Sequence, residues 1–244
     1  HHCSTSSNHK SMCILNQSTH DLECSDKSTS IVDYDSLWKY FVSLGIQLSS
    51  ITSFLWLIQH FNVFPQFIQL FGINITSCIA YMFFLILAVR SRIFSPLPAD
   101  RPRQTELFDL KRPKWFPPPI VFGIVWSTIG LILRPLSAFL VWNTLQYSTL
   151  NIPIFAYVLN LSIGDVWNYL QNNEKKLGVS LLFMFPVWLS SIFVTFAMFS
   201  VNPQAGYTIL PLPIWLTAAY AIVFSTWNLN GRPTLLPRKK RTQQ

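Results

Sequence analysis

The sequence predicts an all-α integral membrane protein with six transmembrane helices, and three observations support this fold class. Half of the 244 residues are hydrophobic and only 11% are charged, whereas soluble domains carry about a quarter. Long runs contain no Asp, Glu, Lys, Arg or His, and they lie at 40–59, 61–89, 135–164 and 177–231. Barrel strands would alternate over roughly 10 residues. The continuous runs therefore favour helices, which satisfy their own backbone groups in lipid.

The first three helices are expected at about 36–62, 66–91 and 116–143. Ser36 is a candidate N-cap for the first helix, and Pro65 marks the turn after it. The second ends at Arg90, and the third opens with the prolines 117–119, which a first helical turn tolerates. The stretch 1–35 is rich in Ser, Thr and Asn, so we expect a polar, disordered N-terminal tail.

The last three helices are expected at about 152–171, 177–200 and 208–230. Asn151 precedes the fourth as a candidate cap, and Pro153 falls in its first turn. Asn202 and Pro203 stop the fifth helix, and Gly231 ends the sixth.

The placement of the net charge of +8 indicates a membrane surface rather than a nucleic acid. The basic residues cluster at 90–114 and 232–241, next to the ends of hydrophobic segments. With six spans, these clusters and the short loop 171–176 share one face. The opposite connections carry no charge and lie near 62–66, 144–151 and 201–207. This is the positive-inside pattern, and it puts both chain ends on the basic side.

Neither the motifs nor the cysteines predict an enzyme or a metal centre. The sequence contains no Gly-rich phosphate loop, His-Glu-x-x-His motif, nucleophile elbow or clustered carboxylate pair, so we expect no catalytic residues. Cys3, Cys13 and Cys24 accompany four histidines in the polar tail but fit no usual zinc spacing. We expect free thiols there, with a metal site or a disulfide as the alternatives.

Two ionisable residues fall inside predicted spans, where each is costly and usually faces a cavity or a partner. Arg134 lies about 18 residues into the third helix, roughly 27 Å from its basic end. It is expected to snorkel to the uncharged face or to make a structural contact. Asp165 lies nearer the basic end of its helix, too far from Arg134 to pair easily. Its expected neighbours are Lys114, Lys175, Lys176 or a helix-end amide.

The nine tryptophans are the next candidates for function. Trp38, Trp142 and Trp227 lie near predicted interfaces, where aromatic belts are ordinary. Trp126 and Trp188 fall near mid-span. They can pack as core, or they can form flat walls for a planar ligand.

Two motifs resemble the TspO/MBR family of tryptophan-rich sensory and translocator proteins. The first is PKWFPPPIVF at 113–122 followed by Val125-Trp126, similar to the family's Pro-x-Trp, paired prolines, Val-Phe and Trp. The second is PLPIW at 211–215 with WNLN at 227–230, similar to Pro-Tyr-x-x-Trp and Trp-x-Leu-Asn. The resemblance covers about 68–231.

The resemblance implies five helices and a long first loop that covers a ligand pocket. Residues 65–231 would then be the five-helix bundle, with 90–114 as that loop. Residues 36–64 would form an additional transmembrane helix, and 232–244 a basic C-terminal tail.

Some residues depart from the family pattern. Gly130 and Leu212 stand where the family has Tyr. The stretches 164–168 (GDVWN) and 173–178 (NEKKLG) are similar to a divergent branch associated with cyanobacteria and plastids. The resemblance therefore implies a plastid membrane, the thylakoid above all, with a mitochondrial membrane as the alternative.

The function implied is the binding of a hydrophobic or planar ligand, a tetrapyrrole or a lipid, with a transport or regulatory role. Porphyrin, chlorophyll and lipid are the candidate ligands. The expected ligand-binding residues are Trp115, Phe122, Trp126, Asp165, Trp167, Asn168, Trp215 and Asn230. The alternative is a structural subunit of a larger, photosynthetic membrane complex. A homodimer is a further expectation from the family.

Overall fold

The computed structural model describes residues 12–15, 22–25, 31–63, 69–70, 73–98 and 110–239. The chain divides into two compact units, one formed by 1–33 with 238–244 and one by 34–237. The disorder expected for the N-terminal tail falls mostly outside the described residues, as do 99–109 of the long loop and 240–244.

The strands are short and are β1 (Met12–Leu15), β2 (Leu22–Ser25), β3 (Ile31–Val32), β4 (Gln69–Leu70), β5 (Ile73–Asn74) and β6 (Arg238–Lys239). They form three antiparallel pairs, β1 with β2, β3 with β6 and β4 with β5. In the first pair Met12 lies opposite Ser25.

Helices make up most of the larger unit. They are α1 (Tyr34–His60), α2 (Ile75–Arg90), α3 (Pro119–Thr128), α4 (Arg134–Thr144), α5 (Ile152–Asn172), α6 (Leu177–Val201), α7 (Pro203–Ile209) and α8 (Pro211–Leu229). A 3-10 turn, Ser91–Phe94, extends α2. A π-helical turn, Ile129–Leu133, joins α3 to α4, and α7 continues into α8 through Leu210.

Among the described residues, five helical segments are long and apolar enough to cross a membrane, namely Tyr34–His60, Ile75–Phe94, Pro119–Thr144, Leu177–Val201 and Pro203–Leu229. The fourth predicted helix, α5, is not among these segments, and other helices enclose it. It packs against α1, α4 and α6, and 12 of its 21 residues are buried. A helix with so little surface facing lipid can carry polar side chains inward. The all-α membrane fold is confirmed.

Three predicted boundaries were wrong. The sixth helix was expected from about 208, but α7 already begins at Pro203, because the Asn202 side chain caps it by accepting from the backbone N–H groups of Gln204 and Ala205. The second helix begins at Ile75 rather than near 66, because β4 and β5 precede it; Gly72 and Asn74 are poor helix formers. The third begins at Pro119 rather than 116. Pro118 stays extended, at φ −54° and ψ 144°, because a residue before proline is pushed out of the helical region.

Pro135 explains the π-helical turn between α3 and α4. Pro135 has no N–H to offer the carbonyl of Leu131, four residues earlier. The hydroxyl of Tyr81 on α2 donates to that carbonyl instead, at 3.2 Å. The amide of Arg134 bonds to the carbonyl of Ile129, five residues back. The freed backbone group is thus satisfied by a neighbouring helix, as it must be in lipid.

Polar contacts near the N-terminus of α1 fix this helix to the rest of the bundle. Lys39 Nζ donates to the hydroxyl of Tyr169 at 2.8 Å and lies 3.5 Å from Glu174. The Tyr40 hydroxyl donates to Glu174, and Lys176 pairs with the same carboxylate at 2.7 Å.

The other end of α1 is held by neutral groups. Gln59 Oε1 accepts hydrogen bonds from the backbone N–H of Thr149 at 2.7 Å and from its hydroxyl at 3.1 Å. The position of α1 is therefore specified at both ends.

Candidate ligand cavity

A cavity of about 580 Å³ lies inside the helical bundle. Side chains from the end of α2, from the segment 110–116 and from α3, α5, α6 and α8 line it. Cavities that hold small molecules in proteins measure about 300–1,000 Å³ and are mostly apolar, with few polar groups.

Aromatic rings form one wall of the cavity. Phe122, Trp126 and Trp167 line it. The Phe116 ring stacks on Phe122, with centroids 5.2 Å apart and an interplanar angle of 8°. Trp215 packs edge-on against Phe122 at 5.2 Å and against Trp126 at 6.4 Å. Trp215 lies on α8 and holds both of these rings in place.

A buried polar cluster meets the cavity at Asp165. Its Oδ2 atom accepts hydrogen bonds from Ser91 Oγ at 2.6 Å and from Gln47 Nε2 at 2.7 Å. Gln47 also donates to the Ser91 carbonyl at 3.1 Å and is fully buried. The basic neighbours expected for Asp165 were wrong: Lys176 instead pairs with Glu174. Neutral donors satisfy this carboxylate oxygen without bringing a second charge into the bundle.

Arg134 is the first residue of α4, and its side chain lines the cavity. Its Nη2 atom donates to Asn160 Oδ1 at 3.0 Å. Asn160 in turn donates to Ser190 Oγ at 2.9 Å and to the Val187 carbonyl at 3.2 Å. Arg134 therefore makes a structural contact inside the bundle and does not snorkel to the surface.

The chain matches known proteins over this part of the bundle. The family model described as the TspO/MBR family matches residues 82–228, more than half of the chain. The chain belongs to the TspO/MBR family. It is 28% identical over 122 residues to Protein CrtK of Rhodobacter capsulatus, which covers 50% of this chain and 76% of that protein.

Two further relatives agree with this assignment. A tryptophan-rich sensory protein of Cereibacter sphaeroides is 27% identical over 126 residues, covering 51% of this chain and 77% of that protein. The human translocator protein is 26% identical over 123 residues, covering 50% and 72%.

Helix α1 precedes the TspO/MBR match, yet it supports a residue that lines the cavity. Ser91 and Asp165 lie within the matched residues, whereas their partner Gln47 does not. A helix outside the family match thus supplies one of the two hydrogen bonds that hold the cavity carboxylate in the described structure.

The structure brings five of the eight expected ligand-binding residues to the cavity, and these are Phe122, Trp126, Asp165, Trp167 and Asn168. The other three lie outside the lining. Trp115 is 54% exposed, and Trp215 stands behind the aromatic wall. Asn230 binds the backbone of Lys111 through two hydrogen bonds. Its side-chain oxygen accepts from the Lys111 N–H at 3.1 Å, and its side-chain nitrogen donates to the Lys111 carbonyl at 2.8 Å. It anchors the end of the long loop to α8.

Sequence reasoning missed several lining or supporting residues. Gln47 could have been found, because it is an amide inside the charge-free run 40–59, and polar side chains within spans usually meet a partner. Arg134 was singled out, but not as a cavity residue. Ser91 and Arg112 carry no local signal, since their positions depend on how α2 and the loop end pack.

Proposed function

We propose that this TspO/MBR protein binds a hydrophobic, planar ligand between its helices. The observation that carries the proposal is the cavity of about 580 Å³ with its aromatic wall. Flat indole and phenyl faces suit a conjugated ring system, because offset stacking adds to the burial of apolar area. A tetrapyrrole fits this description best, and a lipid chain is the second ligand class.

The cavity supports binding rather than catalysis. Among its described lining residues, the acidic group is Asp165, whose Oδ2 is held by two neutral donors. Ser91 Oγ donates to this carboxylate, but no histidine or cysteine lines the described part of the cavity, and these groups most often serve as base, nucleophile or metal ligand in acyl and phosphoryl chemistry. We infer that ligand binding serves transport or regulation, in keeping with the names of the sensory and translocator relatives.

Tryptophan fluorescence tests the proposal. Protoporphyrin IX is titrated into the purified full chain in detergent, and saturable quenching is expected. Trp126→Phe and Trp167→Phe should each weaken binding or reduce the quenching. Trp38→Phe is the matched control, because that indole is 71% exposed and lies on α1 outside the cavity lining. Quenching that does not saturate, or that is the same in all three variants, would contradict the proposal.

We further infer a plastid membrane as the location, the thylakoid above all, from the resemblance at 164–168; a mitochondrial membrane is the alternative. A fluorescent fusion followed in cells distinguishes the two. Membership of a larger complex is the competing role. Native gel migration in mild detergent tests it, because a ligand-binding monomer or homodimer should run without partner subunits.

A further inference from the structure

Arg134 is a cation held inside a membrane-spanning segment and directed at the cavity. It belongs to the span Pro119–Thr144, and its side chain lines the cavity. A charged side chain at this depth is costly unless it meets an anion or water. The bonds that Arg134 makes therefore indicate what the cavity is built to receive.

The hydrogen-bond partner of Arg134 among the described residues is neutral. Nη2 donates to the amide oxygen of Asn160. The orientation of that amide is settled by its other end, because the Val187 carbonyl can only accept. Arg134 Nε is buried and has no hydrogen-bond partner in the described structure. A buried donor on a charged group is thus left unpaired in a side chain that lines the cavity, which is unfavourable.

Asp165 attracts this guanidinium through space without contacting it. The two residues line the same cavity, but no ion pair joins them within the described residues. Both hydrogen bonds to Asp165 come from Ser91 and Gln47. Arg92 and Arg112 also line the cavity, so its described lining carries three basic side chains and one acidic side chain.

We propose that the cavity selects an amphiphile with an acidic group, and that the acid binds at Arg134 while the apolar body lies against the aromatic wall. The ligand carboxylate would accept from the guanidinium of Arg134 and place a negative charge beside it. Arg92 and Arg112 would favour the entry of an anion. This inference rests on the proposed function and specifies its ligand class: a carboxylic acid with a large apolar part.

Two pairs of probes distinguish the contribution of the acidic group to binding from that of the apolar body. Protoporphyrin IX is compared with its dimethyl ester, and palmitic acid with methyl palmitate. Binding to the full chain in detergent is measured by microscale thermophoresis. In at least one pair the acid should bind about tenfold or more tightly than its ester, because a hydrogen bond to a charged group contributes on this scale. The pair that shows the preference identifies a planar or a chain-like ligand.

Arg134→Gln should abolish that preference, because acid and ester then meet the same neutral side chain. Arg90→Gln is the matched control, because it removes the same charge from an exposed residue of α2 outside the cavity and should retain the preference. Arg134→Lys keeps the charge and is expected to fold if the Gln variant does not. It should weaken acid binding about threefold or more, since an ammonium lacks the planar, forked donors of a guanidinium.

The outcomes distinguish this inference from the function on which it rests. Equal binding of acid and ester, or a preference that survives both Arg134 substitutions, would overturn the acid site while leaving ligand binding intact. If neither member of either pair binds to folded wild-type protein, the proposed function fails, and this inference fails with it.

Discussion

The substitution Gln47→Leu tests whether α1 is energetically coupled to the carboxylate of Asp165 in the cavity. Gln47 is fully buried and donates to Asp165 at 2.7 Å, so Leu keeps the approximate volume and removes the donor. Hydrogen bonds between membrane helices average about 0.6 kcal/mol, whereas bonds to charged groups contribute about 1.5–3 kcal/mol. Because the acceptor is a buried carboxylate, we expect the higher range.

A double-mutant cycle measures this coupling. Gln47→Leu, Asp165→Ala and the double variant are unfolded with SDS in mixed micelles, and helix content reports the free energy of unfolding. We expect a coupling energy of about 1.5 kcal/mol or more. Gln59→Leu is the matched control, because Gln59 lies on the same helix and bonds to Thr149 instead, and it should not couple to Asp165. A Gln47–Asp165 coupling of about 0.6 kcal/mol or less would refute the reasoning.

Two further predictions concern the ends of the bundle. Gly178→Ala should destabilise the protein by about 2 kcal/mol or more, since a Cβ there would lie 2.1 Å from the Thr234 carbonyl oxygen. The free energy of unfolding in SDS measures this effect. Gly45→Ala is the control: its Cβ would meet nothing within 4 Å, so this variant should be neutral or slightly stabilising. Burial by itself raises the pKa of Glu174, but hydrogen bonds from Lys176 and Tyr40 outweigh it and hold that pKa below its ordinary value. The ionised carboxylate therefore stabilises the fold above its unfolded pKa, near 4.5, and this contribution is lost as pH falls through the lower folded value. Unfolding of wild type and Glu174→Gln between pH 7 and 3 should show a wild-type advantage that disappears with acid, and a difference independent of pH would be a contradiction.

The sequence predicted the membrane fold because charge is excluded from lipid over whole helices, and this signal is local. It predicted the aromatic wall less completely. Phe122, Trp126 and Trp167 were expected and line the cavity, whereas Trp215 supports them from behind. The depth of a residue along a helix can be estimated from the sequence, but the direction in which it faces depends on packing.

The polar cluster shows why the rest was out of reach. Gln47 and Asp165 are 118 residues apart in sequence, and Ser91 and Asp165 are 74 apart. Their meeting depends on the rotation of α1 and α5 about their axes, which no local pattern specifies. The orientation of the Arg134 side chain depends on the π turn before Pro135. A proline in a span predicts a disturbance of the helix, but it does not predict which side chain then faces the cavity.

The central claim is that the cavity holds a ligand, and native mass spectrometry of the purified protein tests it most directly. Gly164 lines the cavity, and a Cβ there meets nothing within 4 Å, so Gly164→Phe should fill the space with a ring. Gly45→Phe on α1 serves as the control. We predict a bound apolar molecule in wild type and in the Gly45 variant, and its loss in Gly164→Phe. The absence of any bound molecule from wild type, or the same bound molecules in all three proteins, would contradict the claim.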